Sequence, residues 1–310
     1  MKTEQEYSKL CKPQIEFLGN GEPYIILAAE AHNSASSSAE YMKNVWEKAD
    51  ILNCNTILAP VYWEKFEPEE RKFSYELIEQ LICGAREHGK KLILLWFGSW
   101  KNGLSTYAPA WIKTDTVRFP RVTDCNGTKL RILSMFESDI FEVEKNAFEH
   151  FMGHLKEFDA KERTVIAVQV ENEVGVLETT RDFSQGAQEA FEKVVPEEVS
   201  SDGKSWSEIF GTDAGEAFMC CHYADYISRL AQAGKEIYHL PMFTNVWLKD
   251  GNQKPGEYPC GVPEPEMLDL WKKAAPCLDF IAPDIYSFDF EKIAELYNRE
   301  DNLFFVPETR

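Results

Sequence analysis

Residues Val165 to Gly175 read Val-Ile-Ala-Val-Gln-Val-Glu-Asn-Glu-Val-Gly, and this stretch decides the fold of the chain. Its first half is apolar and rich in β-branched residues, which predicts a strand buried on both faces. Its second half changes abruptly to polar and acidic residues, which an apolar core accepts only at a high cost. Parallel α/β barrels carry their chemistry at the carboxyl ends of such strands. The stretch therefore predicts a barrel strand with Glu173 as a catalytic residue at its end.

Apolar segments of the same kind recur along the chain and alternate with amphipathic ones. The predicted strands are 24–29, 55–62, 91–97, 165–175, 240–244, 280–283 and 303–306. The segments between them predict helices, and serines at 36–38 and at Ser138 are placed to cap two of these helices. This alternation predicts an α/β fold, a (β/α)8 TIM barrel.

The alternation ends before an eighth strand. We expect residues 1–310 to form one catalytic barrel domain, truncated at the seventh strand and lacking its last strand and helices. A barrel open in this way has two unpaired edges, which favours the interpretation that the chain is an N-terminal fragment. Residues 175–211 form a long segment before the next helix and are predicted to be a lid-like insertion.

Charge and composition exclude several classes of partner. The formal net charge of -19 argues against nucleic acid and anionic membrane surfaces. No signal-peptide pattern and no membrane-length apolar run is present, and the eight cysteines are scattered without metal-ligand spacing. We expect a cytoplasmic protein with reduced thiols, no metal and no cofactor, and a small carbohydrate as its partner. Whether it forms a homo-oligomer is left open.

Two predicted strand ends carry the carboxylates that a glycosidase needs, Glu173 on the fourth strand and Glu308 on the seventh. Retaining hydrolysis uses one carboxylic acid to protonate the leaving oxygen and one carboxylate to attack the anomeric carbon. The alternative for Glu308 alone is an exposed rim residue or a partner of an arginine. Asn172 beside Glu173 makes the pattern more specific, because an amide there can bind a substrate hydroxyl.

The segment Gln169 to Gly175 resembles the acid/base motif of the glycoside hydrolase family 35 β-galactosidases, which belong to the retaining clan A (β/α)8 glycosidases. Residues 61–68 and 94–103 are similar to second- and third-strand motifs of that family. The resemblance implies that Glu173 is the acid/base, Glu308 the nucleophile, Asn172 the contact of the 2-hydroxyl group and Tyr286 a partner of the nucleophile. The chain resembles a divergent branch of that family, which carries an additional C-terminal domain.

The third-strand loop departs from the family pattern. Where the family carries Ala-Glu-Trp, this chain has Gly98-Ser99-Trp100, so a carboxylate that helps to hold the sugar is missing. Glu30, at the end of the first predicted strand, is a candidate to replace it. Because of this departure, the sequence predicts the identity of the sugar less well than the type of reaction.

Other residues near the strand ends are candidates for substrate binding. Trp100 and Trp247 could stack on a sugar ring, with packing inside the protein as the alternative. Glu171 lies two residues before Glu173, so a regular strand would direct both to one side. His32 is predicted to be a hydrogen-bonding residue of the site and not a metal ligand, since no other histidine has ligand spacing.

The predicted function is that of a retaining exo-β-glycosidase, with β-galactosidase as the favoured activity. A β-glucosidase, β-mannosidase or arabinosidase would use the same two carboxylates. An inactive barrel that only binds carbohydrate is the alternative from another class.

Overall fold

A computed structural model describes residues 18–19 and 22–309 of the chain. Six parallel strands form one sheet in chain order, curled into a half-barrel. They are β1 Ala28–Glu30, β2 Thr56–Tyr62, β3 Lys91–Lys101, β4 Val165–Asn172, β5 Met242–Trp247 and β6 Phe280–Asp284. The predicted α/β barrel class is confirmed over these strands.

One principal helix follows each strand. These helices are α1 Ala39–Ile51, α2 Glu76–Glu87, α3 Ile140–Asp159, α4 Ala214–Ile237, α5 Leu268–Ala274 and α6 Phe290–Tyr297. Ser38 Oγ accepts a hydrogen bond from Tyr41 N at 3.2 Å, so the predicted cap of α1 is present. Ser138 Oγ accepts a hydrogen bond from Ile140 N at 3.2 Å, but the N-cap residue of α3 is Asp139, so the cap predicted at Ser138 is wrong by one residue. None of the helices in the described part of the chain has the length and apolar character that crossing a bilayer requires.

Shorter elements lie in the connections. Four short α-helices span Trp63–Phe66, Ala110–Thr114, Gln185–Phe191 and Trp206–Phe210, and 3-10 turns span Ala35–Ser37 and Gly211–Asp213. Antiparallel pairs join Leu18–Gly19 to Glu22–Pro23 and Arg121–Thr123 to Lys129–Leu133. The second pair lies in the connection between β3 and α3.

The sheet is buried on both faces, which explains its nearly continuous apolar strands. In β3, Ile93, Leu95 and Phe97 belong to the cluster that fills the barrel interior. The alternate residues Leu94 and Trp96 belong to the larger cluster between sheet and helices. Because successive strand residues point to opposite faces, one strand supplies both layers of the core.

The predicted seventh strand over 303–306 is wrong, since these residues have no strand pairing. The side chain of Asn302 takes the place of a partner strand at β6, where its Oδ1 accepts from Ile281 N and its Nδ2 donates to Ile281 O, both at 2.9 Å. Strand-like pairing appears only as an isolated parallel bridge between Ile285 and Thr309. The chain therefore leaves the edge of β6 after Asn302 and returns to it at Glu308 and Thr309.

The predicted lid-like insertion over 175–211 is attached to the body of the protein at several points. The buried carboxyl of Asp182 accepts hydrogen bonds from Thr123 N at 3.1 Å and Ser134 Oγ at 2.5 Å. Trp206 packs edge-on against Phe218 of α4 with ring centroids 5.5 Å apart. Its role as a lid stays a prediction.

Candidate active site

Three carboxyl groups converge at the carboxyl ends of the strands. Glu173 follows β4, Asp284 is the last residue of β6, and Glu308 returns to the end of β6 through the hydrogen bond from Ile285 N to its carbonyl oxygen at 2.9 Å. One oxygen from each carboxyl group lies within 4.8 Å of the others. The two carboxylates predicted from sequence therefore meet, although they are far apart in the chain.

Glu173 is held in a setting that suits a general acid. Its backbone N–H donates to Asn245 Oδ1 at 2.8 Å, and its carboxyl accepts a hydrogen bond from the Asn102 side chain. Burial raises the pKa of Glu173 to about 7, while the Lys101 charge opposes that rise and the Glu308 charge adds to it. A carboxyl group with such a pKa keeps its proton near neutral pH and can donate it in catalysis.

Glu308 is positioned by hydrogen bonds from two side chains. Tyr286 OH donates to Oε2 at 2.5 Å, and Asn245 Nδ2 lies 3.5 Å from Oε1. Both donors stabilise the ionised form that a nucleophile requires. The expected pairing of Tyr286 with Glu308 is present in the structure.

Asn172 is fully buried, and only half of its amide is satisfied within the protein. Lys101 Nζ donates to its Oδ1 at 2.7 Å. Its Nδ2 has no hydrogen-bond partner among the described residues. A buried donor without a partner is costly, so the position is suited to a substrate hydroxyl that would accept from it.

Glu30 and His32 line the opening of the site. A cleft of about 520 Å³ is bordered by the end of β1 and the segment up to Thr309, and its walls include Glu30, His32, Tyr286 and Glu308. Burial raises the pKa of Glu30 to about 8, with the Glu308 charge adding to the effect. Both residues are thus close enough to the predicted nucleophile to contact a sugar bound there.

Trp247 is half-buried and ends β5, where it pairs in register with Asp284 of β6. That register brings it to the same rim as the three carboxyl groups. The Trp247 side chain therefore stays a candidate for stacking on a sugar ring.

Two predicted substrate contacts lie inside the protein instead. Trp100 is fully buried, donates from its indole N–H to Leu133 O at 3.1 Å and packs edge-on against Tyr223 and Tyr226 of α4. No face of its ring remains for a sugar. The expectation that Trp100 stacks on substrate is corrected accordingly.

Glu171 is also fully buried, and its carboxyl accepts from Ser99 N at 2.9 Å and Trp100 N at 2.8 Å. Burial, and then the neighbouring Glu144 carboxyl, raise its pKa well above the usual range. The expectation that the side chains of Glu171 and Glu173 point to one side of the strand is wrong. Both residues have a left-handed backbone conformation, with φ of 59° and 44°. Regular strand alternation does not persist through such residues, so Glu171 turns inward.

Four residues that sequence reasoning did not single out complete the site: Lys101, Asn102, Asn245 and Asp284. Each lies at or next to the carboxyl end of a strand. Polar residues at strand ends were the available signal, the same one that identified Glu173.

Closely spaced carboxylates are also a ligand set for hard cations. Among the described residues, Glu173, Asp284 and Glu308 are the group whose oxygens lie close enough for this. A cation bound there would compete with the proton on Glu173. Because Asn102 and Asn245 already supply donors to this group, we assign proton chemistry to it.

Comparison with known proteins gives one family match. A glycoside hydrolase family 42 model, described as β-galactosidase, matches residues 33–214, a range that includes Glu173 and ends before Glu308. It supports the wider clan A predicted from the motifs, with family 42 and not family 35 as the matching family. No curated protein matches the sequence.

Two solved structures share the fold. The β-galactosidase from Rahnella sp. R3 has 19% sequence identity and a TM-score of 0.53 over 85% of this chain. The exo-β-1,4-mannosidase Op5Man5 from Opitutaceae bacterium strain TAV5 has 14% identity and a TM-score of 0.51 over 86% of this chain. The chain spans 39% of the length of each of these two proteins.

Proposed function

The chain belongs to the glycoside hydrolase family 42 of β-galactosidases, and from that premise we propose that it acts as a retaining exo-β-glycosidase on terminal β-galactosides. The observation that carries the proposal is the approach of the Glu173 and Glu308 oxygens to within 4.8 Å. Retaining glycosidases hold their two carboxyl groups about 5–5.5 Å apart, whereas inverting ones need about 6.5–9.5 Å to admit a water molecule.

In the first step, Glu308 attacks the anomeric carbon while Glu173 gives its proton to the glycosidic oxygen. The bond from carbon to the leaving group breaks, and a glycosyl ester of Glu308 forms. In the second step, Glu173, now ionised, takes a proton from water, whose oxygen attacks the same carbon and releases Glu308. Two displacements return the sugar with its original β configuration.

The sugar is positioned by the groups around these carboxylates. Asn172 Nδ2, buried and without a partner among the described residues, is a donor for the 2-hydroxyl group. Glu30, His32 and Trp247 would contact other parts of the ring. Ser99 makes no such contact, since its hydroxyl bonds to Glu144 in the interior.

Rescue of two variants by azide, which replaces the missing nucleophile or the attacking water, tests the proposal. For Glu308→Gly we expect an aryl β-galactoside with a good leaving group to give the α-galactosyl azide, and for Glu173→Ala we expect the β-galactosyl azide. Lys113→Met, a change at a surface ion pair with Glu64, is the control and keeps normal turnover. If Glu308→Gly hydrolysed the substrate at the rate of the unaltered protein, the nucleophile assignment would be wrong. Aryl glucosides, mannosides and arabinosides assayed in parallel identify the preferred sugar.

A further inference from the structure

Strand β3 carries a bulge beside the proposed acid/base. Its ladder with β4 is in place at Trp96, and the next pairing is that of Lys101 with Asn172. Residues 97–100 of β3 therefore lie opposite Glu171 alone. A bulge leaves backbone groups of the longer strand without ladder partners, and it redirects the side chains that follow it.

The carboxyl group of Glu171 takes the place of the missing ladder partners. Its Oε1 accepts a hydrogen bond from Ser99 N at 2.9 Å, and its Oε2 accepts one from Trp100 N at 2.8 Å. The bulge is therefore bonded to β4 through a side chain instead of through the backbone. The left-handed backbone conformation of Glu171 gives its side chain this inward direction.

Glu144 of α3 holds the same carboxyl group from the helix side. The carboxyl groups of Glu171 and Glu144 are hydrogen-bonded to each other and fully buried, and two such groups cannot both be ionised. Burial, and then the Glu144 charge, raise the pKa of Glu171, so Glu171 carries the shared proton. Glu144 accepts from Trp96 Nε1 at 2.8 Å and from Tyr226 OH at 2.7 Å. It also accepts from the Ser99 hydroxyl group, and these donors suit the ionised member of the pair.

The segment after the bulge places two side chains in the site. Asn102 N donates to Asn172 O at 3.2 Å and Gly103 N donates to Glu173 O at 2.9 Å, so the chain follows β4 again. The Lys101 ammonium reaches Asn172 Oδ1, and the Asn102 side chain donates to the Glu173 carboxyl group. The Lys101 charge and the Asn102 hydrogen bond both lower the pKa of Glu173.

We propose that Glu171 is a positioning residue whose carboxyl group holds the bulge of β3 and thereby keeps Lys101 and Asn102 in place. Through these two side chains it acts on Glu173 without touching the reacting atoms. The sequence predicts Glu171 as a substrate contact, and the structure gives it this role behind the site instead. The inference rests on the proposed glycosidase function.

The titratable groups that face the two glutamates form separate sets. Those facing Glu171 are Glu144 of α3 and Tyr223 and Tyr226 of α4. Those facing Glu173 are Glu30 after β1, Lys101 at the end of β3, Asp284 of β6 and Glu308. The charges of Lys101 and Glu308 act most on Glu173. A change at Glu171 should therefore reach Glu173 through the bulge and not as a direct change of charge.

Glu171→Gln tests the proposal. The amide keeps the shape of the side chain and a donor for Glu144, but it has one acceptor oxygen for two backbone N–H groups. We expect the contacts of Lys101 and Asn102 to loosen, which raises the pKa of Glu173 and moves the basic limb of the pH profile of kcat/KM up by about half a pH unit. The value of kcat/KM on an aryl galactoside should fall about fivefold. A limb that stays in place or moves to lower pH would overturn the proposal.

Glu264→Gln is the matched control. Glu264 is also a buried residue, and its carboxyl group also accepts a backbone N–H, that of Lys249 at 2.5 Å. It lies in the connection between β5 and α5, away from the bulge. We expect this variant to leave the basic limb in place. An equal movement in the control would show a general effect of altering a buried carboxyl group and would contradict a specific role for Glu171.

Dependence on the two placed side chains separates positioning from a general loss of structure. In the protein with both Lys101→Met and Asn102→Ala, the groups through which Glu171 acts are absent. Adding Glu171→Gln to that protein should not move the limb again, because the effects are not additive when one acts through the other. A further movement would overturn the proposal.

Two measurements by NMR do not depend on turnover. The ¹³C resonance of the Glu173 carboxyl group should titrate with a higher pKa in Glu171→Gln than in the unaltered protein, and equal values would overturn the proposal. A higher pKa in a protein that hydrolyses no glycoside would support the positioning role and show that the proposed function fails. If Glu171→Gln does not fold, hydrogen exchange in the unaltered protein still tests the bulge, since the amides of Ser99 and Trp100 should exchange slowly. Fast exchange at both would contradict their attachment to Glu171.

Discussion

Lys101 Nζ donates a hydrogen bond to Asn172 Oδ1 at 2.7 Å, and this bond joins the end of β3 to the end of β4. It occupies the acceptor of the amide and leaves Nδ2 as a donor without a partner among the described residues. The same ammonium lowers the pKa of the adjacent catalytic candidate, Glu173. One side chain therefore acts on both the amide proposed to bind the sugar and the proposed acid.

Lys101→Met should weaken the reaction and shift its pH dependence. Loss of a charged hydrogen bond costs about 1.5–3 kcal/mol, or about 10- to 100-fold in kcat/KM. Because Lys101 lowers the pKa of Glu173, its removal raises that pKa and moves the basic limb of the pH profile to higher pH. Aryl galactoside kinetics from pH 5 to 10 measure both effects. A limb displaced to lower pH would contradict this account.

Asn172→Ala should cost about 100-fold in kcat/KM, since contacts to the 2-hydroxyl group strengthen in the transition state of glycoside hydrolysis. The same variant should lose little further activity on the 2-deoxy galactoside, which lacks the bonding group. Rates for the galactoside and for the 2-deoxy galactoside are measured with the unaltered protein and with Asn172→Ala. The four rates give the interaction energy between Asn172 and the 2-hydroxyl group. Equal losses would place Asn172 away from that hydroxyl.

The two tryptophans predicted as sugar contacts should respond in different ways. Trp247→Ala should raise KM about three- to tenfold, the value of a lost stacking contact, with little change in stability. Trp100→Ala should lower the free energy of unfolding by about 3–5 kcal/mol, because its ring is fully buried. Urea unfolding and steady-state kinetics on both variants distinguish these roles. A large loss of stability for Trp247→Ala would instead identify a packing residue.

Gly98→Ala should destabilise the protein severely. A Cβ atom at this position would lie 2.6 Å from Glu171 Oε1 and would also overlap the Glu144 carboxyl. Overpacking against two buried carboxyl groups costs about 3 kcal/mol or more, seen as a lower melting temperature. Gly153→Ala in α3 is the control, since its Cβ would meet only Ile237 at 4.0 Å, and alanine there should stabilise the helix by about 0.5–1 kcal/mol. Similar melting temperatures for the two variants would contradict the crowding at Gly98.

The buried carboxyl groups should make the protein less stable at alkaline pH. The pKa values of Glu30 and Glu173, about 8 and about 7, are above the ordinary value of 4.5. Between pH 4.5 and these values, the folded state therefore binds more protons than the unfolded state. Their contribution to stability is full below about pH 4.5 and is lost as the pH rises through 7 to 8. Urea unfolding at pH 5.5 and 8.5 should differ by about 5 kcal/mol, with folding favoured at the lower pH.

Glu30→Gln should make this pH dependence shallower, because one of the proton-binding groups is gone. Glu87→Gln, at an exposed position of α2, should leave it unchanged. A stability that increased from pH 5.5 to 8.5 in the unaltered protein would contradict the linkage.

Much of the fold is predictable from local pattern. Apolar runs mark five of the strands closely, Ser38 caps α1, and Ser138 lies one residue before the N-cap of α3, because burial and capping act within a few residues. The segment 303–306 has the same apolar character but forms no strand, since Asn302 bonds to the edge of β6 first. Competition for one strand edge is not visible in a local pattern.

By itself, the sequence determined where buried parallel strands change to polar residues, and it predicted Glu173 and Glu308 as a pair, because polarity changes are encoded residue by residue. Only the tertiary structure decided which polar strand ends share a pocket. It turned Glu171 inward through a left-handed backbone and brought Asp284 beside Glu173. Side-chain direction at a strand end depends on backbone conformation and on hydrogen-bond partners far away in the chain, and both are set only when the sheet assembles.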